Sequence, residues 1–244
     1  MPCADYEGVT MNLKELQLII TDDGSHTIYV PSLHETYHSK FGAIQESRHI
    51  YINEGLSYWL NRNLQKSKTL RVLEVGFGTG LNALLSAIYM KDHPEISLKY
   101  HALEPKPLPA DITEKLNYCR ILRCGEQIWN LIHECKWGSE ARISNNFRLF
   151  KDPALVEDFK NPYTYSYDLI FFDAFAPSKQ PELWKTSIFE KIRNRMAEGG
   201  YLVTYCARGQ FKRDLKSLGF DVQTLPGPPG KLEMVRADFF VVNF

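Results

Sequence analysis

The chain has 244 residues, 44% of them hydrophobic and 13% aromatic, and its 29 Lys/Arg are matched by 29 Asp/Glu. That composition supports a packed core and excludes extensive disorder, and zero net charge argues against a strongly basic nucleic-acid binder. No apolar run approaches the ~20 residues of a membrane-spanning helix, and Met1-Pro2-Cys3-Ala4-Asp5-Tyr6-Glu7-Gly8 lacks the basic and apolar regions of a secretory leader. The five cysteines, Cys3, Cys119, Cys124, Cys135 and Cys206, include no C-x-x-C pair. They argue against a disulfide framework and a zinc site, so a reducing, cytoplasmic setting is expected. The seven histidines show no metal-ligand spacing. Charge is uneven along the chain: eleven Lys/Arg stand against seven Asp/Glu between Ala174 and Phe244.

In chain order, Leu16–Thr21 and His26–Val30 alternate apolar and polar residues around Asp22-Asp23-Gly24-Ser25, which predicts a hairpin. Residues 31–45 show no clear period, and Glu46–Leu64 reads as a helix. The first 65 residues are expected to form an extension on a main domain spanning 66–244. From there strands and helices alternate. Strands are predicted at Arg71–Val75, Ser97–Leu103, Asn146–Phe150 (ending at Asp152-Pro153), Tyr167–Phe172, Tyr201–Cys206, Phe220–Leu225 and Ala237–Asn243. Helices are predicted at Thr79–Met90, around Pro109–Tyr118 and Glu126–Cys135, at Thr186–Met196 with a stop at Gly199-Gly200, and at Arg208–Leu218. The alternation implies an α/β fold with a mainly parallel, doubly wound sheet and a ligand at the carboxyl ends of its strands.

Three strand ends carry candidate chemistry. The first runs from Glu74 into Gly76-Phe77-Gly78-Thr79-Gly80, whose every-second-residue glycines differ from the G-x-G-x-x-G of dinucleotide folds. The second ends in Glu104, 28 positions after Gly76, where an acid can bond both hydroxyls of a ribose. The third ends near Asp152, able either to accept from an adenine amine or to cap a helix. A further apolar strand delivers Asp173, followed by Ala174-Phe175-Ala176-Pro177, to the same edge. A carboxylate there can hold and orient an amine, and Phe77 and Phe175 can wall the site from water. Its alternative role is to cap the following turn. Arg208, Lys212, Arg213 and Lys216 share one predicted helix, able to meet phosphate or only solvent. Trp184 reads as either a base-stacking ring or a buried anchor.

The glycine spacing resembles the first motif of class I S-adenosylmethionine (SAM) methyltransferases, whose Rossmann-like, seven-stranded sheet closes in an antiparallel hairpin. Leu73–Asn82, Asp173–Trp184 and Gly227-Pro228-Pro229-Gly230-Lys231-Leu232-Glu233-Met234 together resemble the methyltransferase domain of the MnmC family. Tyr37-His38-Ser39, Gly42 and Glu46-Ser47 are similar to that family's stretch before its cofactor loop. The resemblance implies SAM-dependent N-methylation of 5-aminomethyl-2-thiouridine at the wobble position of tRNA. It places Glu74, Gly76, Phe77, Gly78, Thr79, Gly80 and Glu104 against the cofactor, with Tyr37 and Ser39 nearby. Asp173 becomes the catalytic residue and Phe175 faces the modified base, with Lys231 assigned to the substrate side and Asp152 to the cofactor. The bifunctional members continue into a flavin-dependent oxidase domain, which is not expected here for want of a second glycine fingerprint, so the acceptor should arrive as a primary amine. The alternatives are a transferase, methyl- or aminopropyltransferase-like, acting on a small-molecule amine, and a non-catalytic nucleoside-binding protein.

Overall fold

The computed structural model describes residues 13–63 and 67–240. Readings that fall on Met1–Gly8, Leu64 and 241–243 lie outside the described residues.

The predicted hairpin forms. Strands β1 (Gln17–Ile20) and β2 (His26–Val30) pair antiparallel, and the two-residue β3 (Glu35–Thr36) adds to β2. β3 is too short to show a period in the sequence. A continuous helical run follows: α1 (Ala43–Ser47), a π-helical segment Arg48–Ser57, and α2 (Tyr58–Asn63). Gly55 lies against the sheet, where a Cβ would stand 2.8 Å from the Phe171 ring, and its carbonyl accepts a 2.7 Å hydrogen bond from the Tyr201 hydroxyl. The Arg236 guanidinium donates to Glu54 at 2.8 Å, tying the same helix to the last strand.

The main sheet comprises β4 (Thr69–Val75), β5 (Ser97–Leu103), β6 (Glu140–Arg142), β7 (Phe147–Asp152), β8 (Tyr167–Phe172), β9 (Met196–Thr204), β10 (Phe220–Pro226) and β11 (Glu233–Phe239). Their order is β10-β11-β9-β8-β4-β5-β7-β6. The five strands from β9 to β7 are parallel, while β10, β11 and β6 are antiparallel to their neighbours. This is the expected sheet with its antiparallel closing pair, plus one short edge strand, β6. The helices are α3 (Leu81–Lys91), α4 (Ala110–Thr113), α5 (Tyr118–Leu122), α6 (Glu126–Glu134), α7 (Thr186–Arg193) and α8 (Gly209–Ser217).

β8 shows why its sequence is almost continuously apolar: Leu169 and Phe171 enter one core, Ile170 and Phe172 the other. The first core packs beneath the π-helical segment, α3 and α6. The second lies under α7 and α8.

One boundary differs in kind from expectation. Gly199-Gly200 do not stop a helix, because α7 ends at Arg193 and both glycines lie inside β9, where the pairing to β8 shifts register. A Cβ at Gly200 would sit 2.9 Å from the Ala197 carbonyl and 3.0 Å from that of Asp168, so the irregular strand needs a glycine there.

The chain leaves β4 through Gly76, at φ +94°, where a Cβ would lie 2.5 Å from the Asp173 carbonyl oxygen. Gly138 has a similar φ of +75° but nothing within 4 Å of an added Cβ. Gly76→Ala should therefore cost about 1–3 kcal/mol and exceed the cost of Gly138→Ala. Urea midpoints of the two variants check the difference; equal losses would mean that positive φ alone matters.

Candidate active site

β4 lies between β5 and β8, so the sheet's connections diverge on either side of it and open a crevice above the strand ends. A cavity of about 540 Å³ occupies it, within the size range of small-ligand sites. Its wall includes Gly76–Thr79, Leu81 and Asn82 after β4, Glu104–Lys106 after β5, Ala154–Val156 after β7 and Asp173–Ala176 after β8. The N-terminal segment adds Tyr37–Ser39 and Glu46, and the loop before β11 adds Lys231.

Glu104 is fixed by the loops it serves. Its Oε2 accepts from the Gly78 N–H at 3.0 Å and its Oε1 from the Lys106 N–H at 2.9 Å. Burial raises its pKa to about 6 against the lowering effect of those bonds. Each oxygen retains a lone pair able to accept from a ribose hydroxyl. The Tyr37 ring covers the glycine loop, 3.0 Å from where a Gly78 Cβ would be, and meets the Phe175 ring edge-on with centroids 5.0 Å apart. Burial raises the pKa of its phenol, and it remains neutral.

Asp173 sits at the centre. Its N–H bonds the Val75 carbonyl at 2.9 Å, its Oδ2 accepts from Asn82 Nδ2 at 2.8 Å, and the Tyr51 hydroxyl also bonds the carboxylate. The next residues are held too. The Ala174 carbonyl accepts from the Tyr205 hydroxyl at 2.8 Å, and that of Phe175 from Trp184 Nε1 at 2.8 Å. The Phe175 N–H donates to Gln180 Oε1 at 3.1 Å. Burial, opposed by its hydrogen bonds, brings the Asp173 pKa to about 6.

The remaining expected residues fall differently. Glu74 is fully buried beneath the loop, not on the cavity wall; its Oε1 accepts from Asn82 Nδ2 at 2.9 Å, and burial raises its pKa well above the usual carboxylate range. Gly80 forms the left-handed turn that starts α3, which shifts that helix two residues beyond its predicted start. Phe77 borders the cavity, but its ring packs against His133 and Trp137.

Asp152 does not face the cavity. Its Oδ2 lies 3.2 Å from His101 Nε2 and its Oδ1 accepts from the Ala154 N–H at 3.1 Å, so it caps the turn after β7, and the apolar Ala154–Val156 lines the cavity in its place. Trp184 is a buried anchor among Phe172, Phe189 and Phe211. On α8, Lys212 pairs with Glu233 at 3.2 Å and Arg213 donates to Gln210.

No role was legible in the sequence for Glu46 and Tyr51, both on the helical run that begins at Ala43, for Asn82 on α3, or for Tyr205 after β9. Only Glu46 and Asn82 lay within recognisable stretches.

Residues 152–239 match the family described as S-adenosyl-L-methionine-dependent methyltransferase. The chain is thus similar to SAM-dependent methyltransferases over this part and to MnmC proteins over most of its length. It is 29% identical to the tRNA 5-methylaminomethyl-2-thiouridine biosynthesis bifunctional protein MnmC of Marinomonas sp., over 82% of this chain and 30% of that protein. The protein of the same name from Cupriavidus metallidurans is 26% identical, over 95% of this chain and 35% of its own length. The chain thus spans about a third of the curated relatives it matches. The crystal structure of MnmC2 from Aquifex aeolicus superposes with a TM-score of 0.71 at 24% identity, covering 95% of this chain and 70% of that one, and shows the same fold.

The cavity fits SAM on its own chemistry. It offers a fixed carboxylate for a ribose, an apolar slot at Ala154–Val156 for a base, and the buried Asn82 Oδ1, an acceptor with no hydrogen-bond partner, beside the glycine loop. Among the described residues no cluster of three or more His, Cys, Asp or Glu is arranged to hold a metal ion, and no helix is long and apolar enough to cross a membrane.

Glu104→Ala should weaken S-adenosylhomocysteine binding roughly tenfold or more, as expected when a charged hydrogen-bonding group is lost, whereas Asp152→Asn should change it less than threefold. Calorimetric titration of both variants is the check, and an equal loss would return Asp152 to the ligand.

Proposed function

We propose that this protein methylates the primary amine of 5-aminomethyl-2-thiouridine at the wobble position of tRNA, giving 5-methylaminomethyl-2-thiouridine. The observation that carries this reading is Asp173, held by Val75, Asn82 and Tyr51 on a cavity wall shared with the glycine loop. The names of the relatives support tRNA as the acceptor, and the cytoplasm is then its place of action.

When bound, SAM would supply a sulfonium methyl group, whose carbon an amine lone pair can attack as the C–S bond breaks, giving a secondary ammonium and S-adenosylhomocysteine. Transfer of this kind needs accurate placement more than covalent help. Gly76–Thr79 and Glu104 are the residues placed to hold the cofactor, with Asn82 Oδ1 available to a donor on its amino-acid end. Tyr37 and Phe175 form an edge-to-face wall beside Asp173 and narrow the approach to one side. With both carboxylate oxygens on the amine's N–H groups, Asp173 would orient the lone pair and stabilise the cationic product. With a pKa near 6 it is ionised at neutral pH, the form that accepts hydrogen bonds from the amine and balances the charge of the ammonium product.

Labelled SAM and bulk tRNA from cells lacking the activity should yield labelled 5-methylaminomethyl-2-thiouridine on nucleoside analysis. Label transfer that survives ribonuclease treatment would move the acceptor to a small amine. Asp173→Ala should lower turnover about 100-fold or more and change S-adenosylhomocysteine affinity little; unchanged turnover would remove Asp173 from catalysis.

The ionised carboxylate is the competent form, so kcat/KM of the wild type should fall as pH drops through about 6. Asp173→Asn should lose that limb. A limb retained in the variant would belong to another group.

A further inference from the structure

Glu46 is a buried acid on the cavity wall with no part in the chemistry above, only 6% exposed. It joins two distant parts of the chain. Its Oε2 accepts from the Ser39 N–H at 2.6 Å, and its Oε1 receives the ammonium of Lys231, which lies on the loop between β10 and β11. The Lys231 Nζ also lies over the Tyr205 ring, 4.3 Å from its centroid, so the lysine is held from two sides. The loop itself is closed by hydrogen bonds from the Gly227 N–H to the Leu232 carbonyl and from the Lys231 N–H to the Pro228 carbonyl. A Cβ on Gly230, at φ +82°, would run into the Phe41 ring, so the loop presses directly on the segment that carries Ser39.

We propose that Glu46 is a positioning residue: by holding Lys231 across the cavity wall it locks the C-terminal loop to the N-terminal segment and leaves Asp173 as the carboxylate open to the incoming amine. This rests on the amine-methylating function for the identity of the acceptor. Without Lys231, Glu46 would offer a competing carboxylate to the same ammonium, and the acceptor would have two places to sit. Without Glu46, Lys231 would be an unpaired cation repelling an ammonium group. The pair removes both faults while lining the cavity.

The arrangement has an electrostatic signature. The groups coupled to Asp173 are Glu46 from α1, Tyr51 from the π-helical segment, Glu74 from β4, Tyr100 from β5, Tyr205 after β9 and Lys231 from the loop, with Asn82 of α3 as a neutral donor. Lys231 is the cation of this set. Its charge favours the Asp173 carboxylate, and that of Glu46 opposes it.

The test is the titration of Asp173 in the full chain, followed by NMR with carbon-labelled aspartate and assigned with Asp173→Asn. Lys231→Met should raise the Asp173 pKa and Glu46→Gln should lower it, each by about half a unit or more, and the double variant should return close to the wild type. Thermal unfolding and S-adenosylhomocysteine affinity establish that each variant is folded. Lys231→Arg, which keeps the charge, should titrate as the wild type and serves if the neutral variants do not fold. With tRNA as acceptor, both single variants should raise KM by roughly tenfold and the double variant by less.

Shifts in the same direction, absent shifts, or losses that simply add in the double variant would overturn the proposal. The titration needs no acceptor. A wild type that fails to methylate tRNA would therefore sink the proposed function separately, leaving the role of Glu46 to be decided by the NMR result.

Discussion

The site depends on two parallel strands, β4 and β8, whose backbones stay together beyond their last paired residues. Val75 pairs with Phe172, and the Asp173 N–H then bonds back to the Val75 carbonyl while Gly76 passes so near the Asp173 carbonyl that no side chain fits between them. The glycine loop and the Asp173 carboxylate are thus two ends of one piece of sheet. Their separation is fixed by backbone geometry rather than by flexible side chains, the kind of support that accurate positioning of a reacting group requires.

That placement has an energetic consequence. Asp173 and Glu104 are buried enough to be pushed to about 6, and Glu74 well above its usual range. Acids with raised pKa bind more protons folded than unfolded, so their contribution to stability is fully present below the unfolded pKa and lost as pH rises through the folded value. At neutral pH the free protein therefore carries a destabilising load in its active site. Rigid surroundings offset it. Two apolar cores flank the sheet, and the backbone of residues 173–175 is held by Val75, Gln180, Trp184 and Tyr205. A bound ligand whose hydroxyl or ammonium groups donate to these carboxylates would relieve part of the load, linking ligand affinity to the cost of burying them.

The N-terminal segment belongs to the site as much as the sheet does. Tyr37 covers Gly78, Ser39 and Glu46 reach the cavity, and Tyr51 bonds Asp173. The helix bearing Tyr51 is pinned to β9 and β11 through Gly55–Tyr201 and Glu54–Arg236. Its π-helical stretch was invisible to periodicity, because a π-helical turn alters the 3.6-residue repeat by which helices are read.

The sequence by itself determined the parallel sheet, the glycine loop after β4, and the acids at the ends of β5 and β8. Each of these is written locally: apolar runs of strand length, alternate glycines, and a carboxylate directly after a strand. It left the direction of each side chain open. Whether Asp152 met a ligand or its own turn depended on His101, from a neighbouring strand, and whether Glu74 lined the cavity depended on Asn82, in the first turn of α3. The edge strand β6 and the Gly199-Gly200 irregularity exist through pairing with partners distant in the chain. Only the tertiary structure brought Glu46, Tyr51, Asn82, Tyr205 and Lys231 around Asp173, since contacts between residues far apart in sequence follow from packing and leave no periodic trace along the chain.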